Sequence, residues 1–72
     1  MKLWKRPRAI DEDKLNKEIG ENIRQARVNS GITIAELSEM LDLSTAYVSQ
    51  IERGKRGARL TRLMQISEIL NV

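Results

Sequence analysis

Five cations stand within ten residues: Arg53, Lys55, Arg56, Arg59 and Arg62. Guanidinium and ammonium groups in such a run suit a phosphate-bearing polyanion, and a solvated basic surface is the plainer reading of the same pattern. Catalysis has little to draw on. The chain has no His and no Cys, so a thiol nucleophile, a disulfide, a Cys-ligated metal and a Ser–His–Asp arrangement are all excluded. The commonest general base and metal ligand is missing as well. Carboxylates remain, but 72 residues leave little room for a cleft to perturb them. No enzyme activity, metal or cofactor is expected.

The charge is polarised along the chain. The total is +3. Residues 1–9 carry Lys2, Lys5, Arg6 and Arg8 and no acid, +4. Residues 10–43 carry four bases against eight acids, −4, and residues 44–72 carry five bases against two, +3. A polyanion met by one face asks for such asymmetry.

These side chains must be positioned by one small domain, since a chain of 8.3 kDa holds a single core. With one Trp, one Tyr and no Phe, that core is aliphatic, which suits an all-α fold. No run approaches the ~18 apolar residues of a membrane span, and residues 1–9 lack a signal peptide's apolar stretch. A soluble, cytoplasmic chain with no membrane partner is expected.

Residues 1–10 read as a flexible basic arm, because Pro7 disfavours helix at Arg6. The domain occupies 11–72. A first helix starts near Asp11 or Asp13, where the acids Asp11, Glu12 and Asp13 favour a helix N-terminus. Leu15, Ile19, Ile23 and Ala26 form its inward face, and Gly31 is its left-handed cap. Gly20 either permits a close approach or marks a boundary. Thr33 and Glu36 form a T-x-x-E capping box, opening a second helix whose apolar stripe is Ile34, Leu37, Met40 and Leu41. Ser44 caps a third helix whose apolar pair is Val48 and Ile51, with Gly54 ending it. A fourth runs from Leu60 or Thr61 to Asn71, with Leu63, Ile66, Ser67 and Leu70 facing in.

Two short helices joined by three or four residues are the arithmetic of a helix-turn-helix. Leu37, Leu41, Leu43, Val48 and Ile51 supply its apolar contacts, and Ser38 is the small residue at the crossing. The outer face of the third helix is short and polar, as entry into a major groove about 12 Å wide demands. A plain four-helix bundle would give that helix a wider apolar stripe.

The segments IGENIRQAR, SGITIAELSEMLDLS, AYVSQIERGKRG and LTRLMQISEILNV follow one another in the order and spacing of a known family. Residues 19–72 resemble the Xre/Cro, lambda-repressor-like helix-turn-helix domains, and VSQIERGKR is the most specific part. The resemblance implies double-stranded DNA as partner and a homodimer on a palindromic operator, with helix 3 (about 44–53) in the major groove. It implies base contacts from Thr45, Ala46, Ser49 and Gln50. It implies phosphate contacts from Thr33, Ser44, Tyr47, Arg53, Lys55, Arg56 and Arg59, with packing against the neighbouring loop an equal reading for Tyr47. It also implies a structural ion pair between Arg27 and Glu52. The chain would then be a transcriptional regulator, a repressor, associated with the nucleoid through DNA.

The sequence departs from the family pattern in four places. Ile34 stands where a Gln commonly contacts phosphate, Ser38 replaces Ala, and Ala58 replaces a common Pro. The family's fifth helix has no counterpart before Val72. Helix 4 is then expected to expose apolar surface, closed by further chain or by dimerisation. The family also includes antitoxins, which bind a toxin protein as well as operator DNA. A module retaining only the fold for protein contacts is the remaining alternative.

Overall fold

Asp11 begins the first helix by accepting the Lys14 N–H on its side chain at 3.2 Å. In the computed structural model, which describes residues 11–71, four helices follow in order: α1 (Glu12–Asn29), α2 (Ile34–Leu41), α3 (Thr45–Glu52) and α4 (Leu60–Leu70). No strand occurs among the described residues, so the fold is all-α. The arm expected at residues 1–10 lies outside the described residues.

Every short connection has the chemistry its turn requires. Gly31 takes the left-handed conformation after α1 at φ 71°. The capping box at α2 is complete, with Thr33 Oγ1 accepting the Glu36 N–H and Glu36 Oε1 accepting the Thr33 N–H, both at 3.1 Å. Asp42 and Asn71 end α2 and α4 in the left-handed region that short polar side chains tolerate. Ser44 Oγ accepts the Tyr47 N–H at 3.1 Å to open α3.

The core is aliphatic: Ile23, Leu37, Leu41, Val48, Ile51, Ile66 and Leu70 are buried, with Ile19, Ala26, Ile32, Leu43 and Leu63 packed around them. It sits where α1 and α2 both meet α3 and α4 closes over α1 and α2. Leu37 is fully buried, so it is the side chain around which the unit closes.

Two expected core residues lie outside it. Leu15 is exposed, because α1 first meets the rest of the fold at Asn16, Lys17 and Ile19 and its opening turn overhangs that contact. Met40 is more than half exposed. The buried arc of α2 is Leu37, Ser38 and Leu41, and Met40 falls outside it, beside Glu36 and Glu39.

Gly20 settles between its two readings: it permits a close approach in the middle of α1. A Cβ there would stand 2.7 Å from the Glu52 carbonyl oxygen and closer still to that of Ile51. Only a missing side chain lets α1 lie against the end of α3.

Candidate nucleic-acid interface

The unit α2, three residues, then α3 forms as the spacing predicts. Ser38 at the crossing is buried, and its hydroxyl donates to the Ile34 carbonyl at 2.7 Å. The Ser at this position is therefore satisfied within its own helix and leaves no orphan polar atom in the core.

One face of α3 is locked inward. Val48, Ile51 and Glu52 are buried. Arg27 from α1 meets Glu52 with both ends of its fork, Nε to Oε2 at 2.7 Å and Nη2 to Oε1 at 3.1 Å. The helix cannot turn about its axis without breaking this pair. Thr45 and Ala46, at the start of the helix, are exposed, while Ser49 and Gln50 are half-buried.

Beyond α3 the chain forms the basic loop. Gly54 adopts φ 73°, and a Cβ on it would stand 2.6 Å from the Lys17 Cα. The loop thus lies directly on α1 at a position only glycine fits. Backbone bonds from Gly54 N–H to the Ile51 carbonyl and from Lys55 N–H to the Gln50 carbonyl, 3.0 and 2.9 Å, tie it to α3. Arg53, Lys55, Arg56 and Arg59 are all exposed.

The phosphate contacts implied at Thr33 and Ser44 fall at the starts of α2 and α3, where a helix leaves its first backbone N–H groups unpaired. The caps take up part of that set: Thr33 and Glu36 satisfy each other, and Ser44 takes the Tyr47 N–H. The N–H groups of Ile34 and Ala35, and of Thr45 and Ala46, lie outside these capping bonds. At α4, Arg59 provides no side-chain cap.

Tyr47 packs against the core with its ring under Arg56, whose guanidinium carbon lies 4.9 Å from the ring centroid. Tyr47 thus packs against the neighbouring loop, one of its two readings. The pair borders a polar groove of about 480 Å³, also lined by Gly57, Arg59, Thr61 and Arg62. Thr61 and Arg62 carry no expected role from the sequence. Arg62 was visible there as one of the five cations, but the residues that share its groove span 47–62, from the first turn of α3 through the basic loop to the first turn of α4.

A family model for helix-turn-helix domains of the Xre/lambda-repressor-like type matches residues 23–72. The chain belongs to this family. It is 35% identical over 54 residues to the HTH-type transcriptional regulator RamB of Mycobacterium tuberculosis, from strains CDC 1551/Oshkosh and ATCC 25618/H37Rv. That match takes in 75% of this chain but only 11% of RamB. Among solved structures it is similar to the clp gene regulator ClgR from C. glutamicum, with a TM-score of 0.78 and 28% identity over 94% of this chain and 82% of that one. These relatives are named as gene regulators, not enzymes. No helix among the described residues is long and apolar enough to cross a membrane.

Proposed function

We propose that the chain is the DNA-binding part of a transcriptional regulator, a repressor that binds a palindromic operator as a homodimer with α3 in the major groove. One observation carries the reading. The Arg27–Glu52 pair and the burial of Val48 and Ile51 hold α3 so that Thr45 and Ala46 face outward, next in line to the exposed cations of residues 53–59.

The division of labour follows from chemistry. Arg53, Lys55, Arg56 and Arg59 neutralise phosphates and fix register without reading sequence. Gln50 is the side chain on this face able to pair with both adenine N6 and N7, and the Thr45 methyl and Ala46 meet thymine methyl groups. Ser49 reaches a base edge from the margin of the same face. Ile34 cannot contact phosphate, so the basic loop takes a larger share of the anchoring. Dimerisation is supported by α4, where Leu60 and Met64 are exposed one turn apart, beside an apolar groove between α1 and α4 lined by Ile23, Ala26, Leu63 and Leu70. A two-fold dimer places its recognition helices about 34 Å apart, one turn of DNA.

Selection of bound sequences from random duplex DNA, with sedimentation of the complex, tests this reading. The expected result is an inverted repeat bound by two chains. Failure to bind any duplex would overturn the proposal, and enrichment of a single half-site by one chain would remove the dimer.

A further inference from the structure

We infer that the apolar groove between α1 and α4 is a seat for this chain's own Trp4, carried there by residues 3–8 running back along α1. The groove is lined by Ile23, Ala26, Leu63 and Leu70, with Asn22 among its lining residues on α1. Leu15 stands exposed two turns before Asn22. Leu15, Asn22 and Ala26 are spaced i, i+7, i+11, so they form one row along the helix that leads into the groove. Ahead of α1, the sequence offers an apolar pair, Leu3 and Trp4, followed by the cations Lys5, Arg6 and Arg8. The inference goes beyond the DNA-binding reading and does not rest on it. With the groove filled, Leu60 and Met64 beside it remain exposed for a second copy.

Direction, reach and charge all agree with this occupant. Asp11 is the N-cap of α1, which makes Ile10 the N′ residue and Leu15 the N4 residue. Apolar side chains at these two positions form a hydrophobic staple, which fixes the angle at which the chain enters the helix. The staple turns the incoming chain onto the Leu15 row, the row that the groove shares. Extended chain advances about 3.3 Å per residue and an α-helix 1.5 Å. Seven steps from Asp11 back to Trp4 therefore cover about 23 Å, and fifteen steps along α1 to Ala26 cover about 22 Å. Arg8, three steps out, comes level with Glu18, seven steps along, both at about 10 Å. Only extended chain reaches so far, and Pro7 favours it at itself and at Arg6. Residues 11–21 carry five acids against two bases, −3, beside the +4 of residues 1–9. Glu18 is exposed, makes no ion pair among the described residues, and shares a surface hollow with Asn22. It is the counter-charge that stands ready for Arg8.

The test uses the full chain. Trp4 is its one tryptophan, so selectively excited indole fluorescence reports this side chain alone. In the folded chain its emission is expected to lie to the blue of the urea-unfolded chain, with acrylamide quenching several-fold weaker. Both should stay constant as protein concentration is varied. Ala26→Arg places a long charged side chain in the groove. Glu18→Lys combined with Glu21→Lys reverses the charge along the path. Each is expected to return quenching most of the way to its unfolded value while far-UV circular dichroism stays helical. Should Ala26→Arg fail to fold, the charge reversal, at two exposed positions, decides the matter. The seat is overturned by quenching as strong in the folded chain as in urea, or by protection that survives the folded variants. Protection that grows with protein concentration makes a second copy the occupant, and protection that arises only on adding duplex DNA places Trp4 on nucleic acid. Either result overturns the proposal.

Discussion

Arg27 and Glu52 meet across the fold in a two-point ion pair, and Arg27 keeps a third bond, from Nη1 to the Ile32 carbonyl at 2.9 Å. One guanidinium thereby joins α1, the α1–α2 connection and the end of α3. Side-chain exposure is 12% for Arg27 and 3% for Glu52, so water screens the pair little.

Removing one partner leaves the other charged, buried and unmatched, which typically costs about 3–5 kcal/mol. Arg27→Met and Glu52→Leu are each expected to lose about that much in urea unfolding. Most of a small domain's stability would go with it. The double variant should be more stable than either single one, because no orphan charge remains. A double variant whose losses simply add would show that the two groups act independently.

Gly20→Ala improves helix propensity by about 1 kcal/mol in an exposed helix. Here it should destabilise by about 1–3 kcal/mol, as overpacking does, because the added methyl runs into the carbonyls of Ile51 and Glu52. Thermal unfolding decides it. A raised melting temperature would mean that α1 and α3 separate without penalty. The displacement of α3 should also weaken DNA binding beyond what the lost stability explains.

Gln50→Ala is expected to cost about 1–3 kcal/mol on the best operator and to relax preference at one base pair. Lys55→Ala should weaken binding evenly across sequences. Competition binding with single-base operator variants separates the two. Unchanged ratios for Gln50→Ala would move specificity to Thr45, Ala46 and the shape of the DNA.

Affinity should fall steeply with salt. Four phosphate contacts per protomer, from Arg53, Lys55, Arg56 and Arg59, give a log–log slope of about −7 for a dimer. A slope shallower than about −2 would remove the cationic clamp.

What was legible in the sequence was local. Thr33 with Glu36, Ser44, Gly31 and Gly54 mark helix ends because capping and left-handed turns involve atoms a few residues apart. The spacing of Leu37, Leu41, Val48 and Ile51 was enough to place the helix-turn-helix, since apolar periodicity identifies the inward face without reference to what covers it. The pairing of Arg27 with Glu52 was legible only through resemblance, as 25 residues separate them and no periodicity connects them. Tertiary structure decided the rest. Leu15 and Met40 fit helical stripes yet lie uncovered, Leu15 because the opening turn of α1 overhangs its neighbours and Met40 because it falls outside the arc of α2 that the other helices cover. Gly20 has its reason in carbonyls of another helix. The groove under Arg56 exists because the path of residues 54–59, pressed onto α1 at Gly54, brings the start of α4 beside Tyr47. Such a relation is set by how helices cross, which short-range chain energetics do not specify.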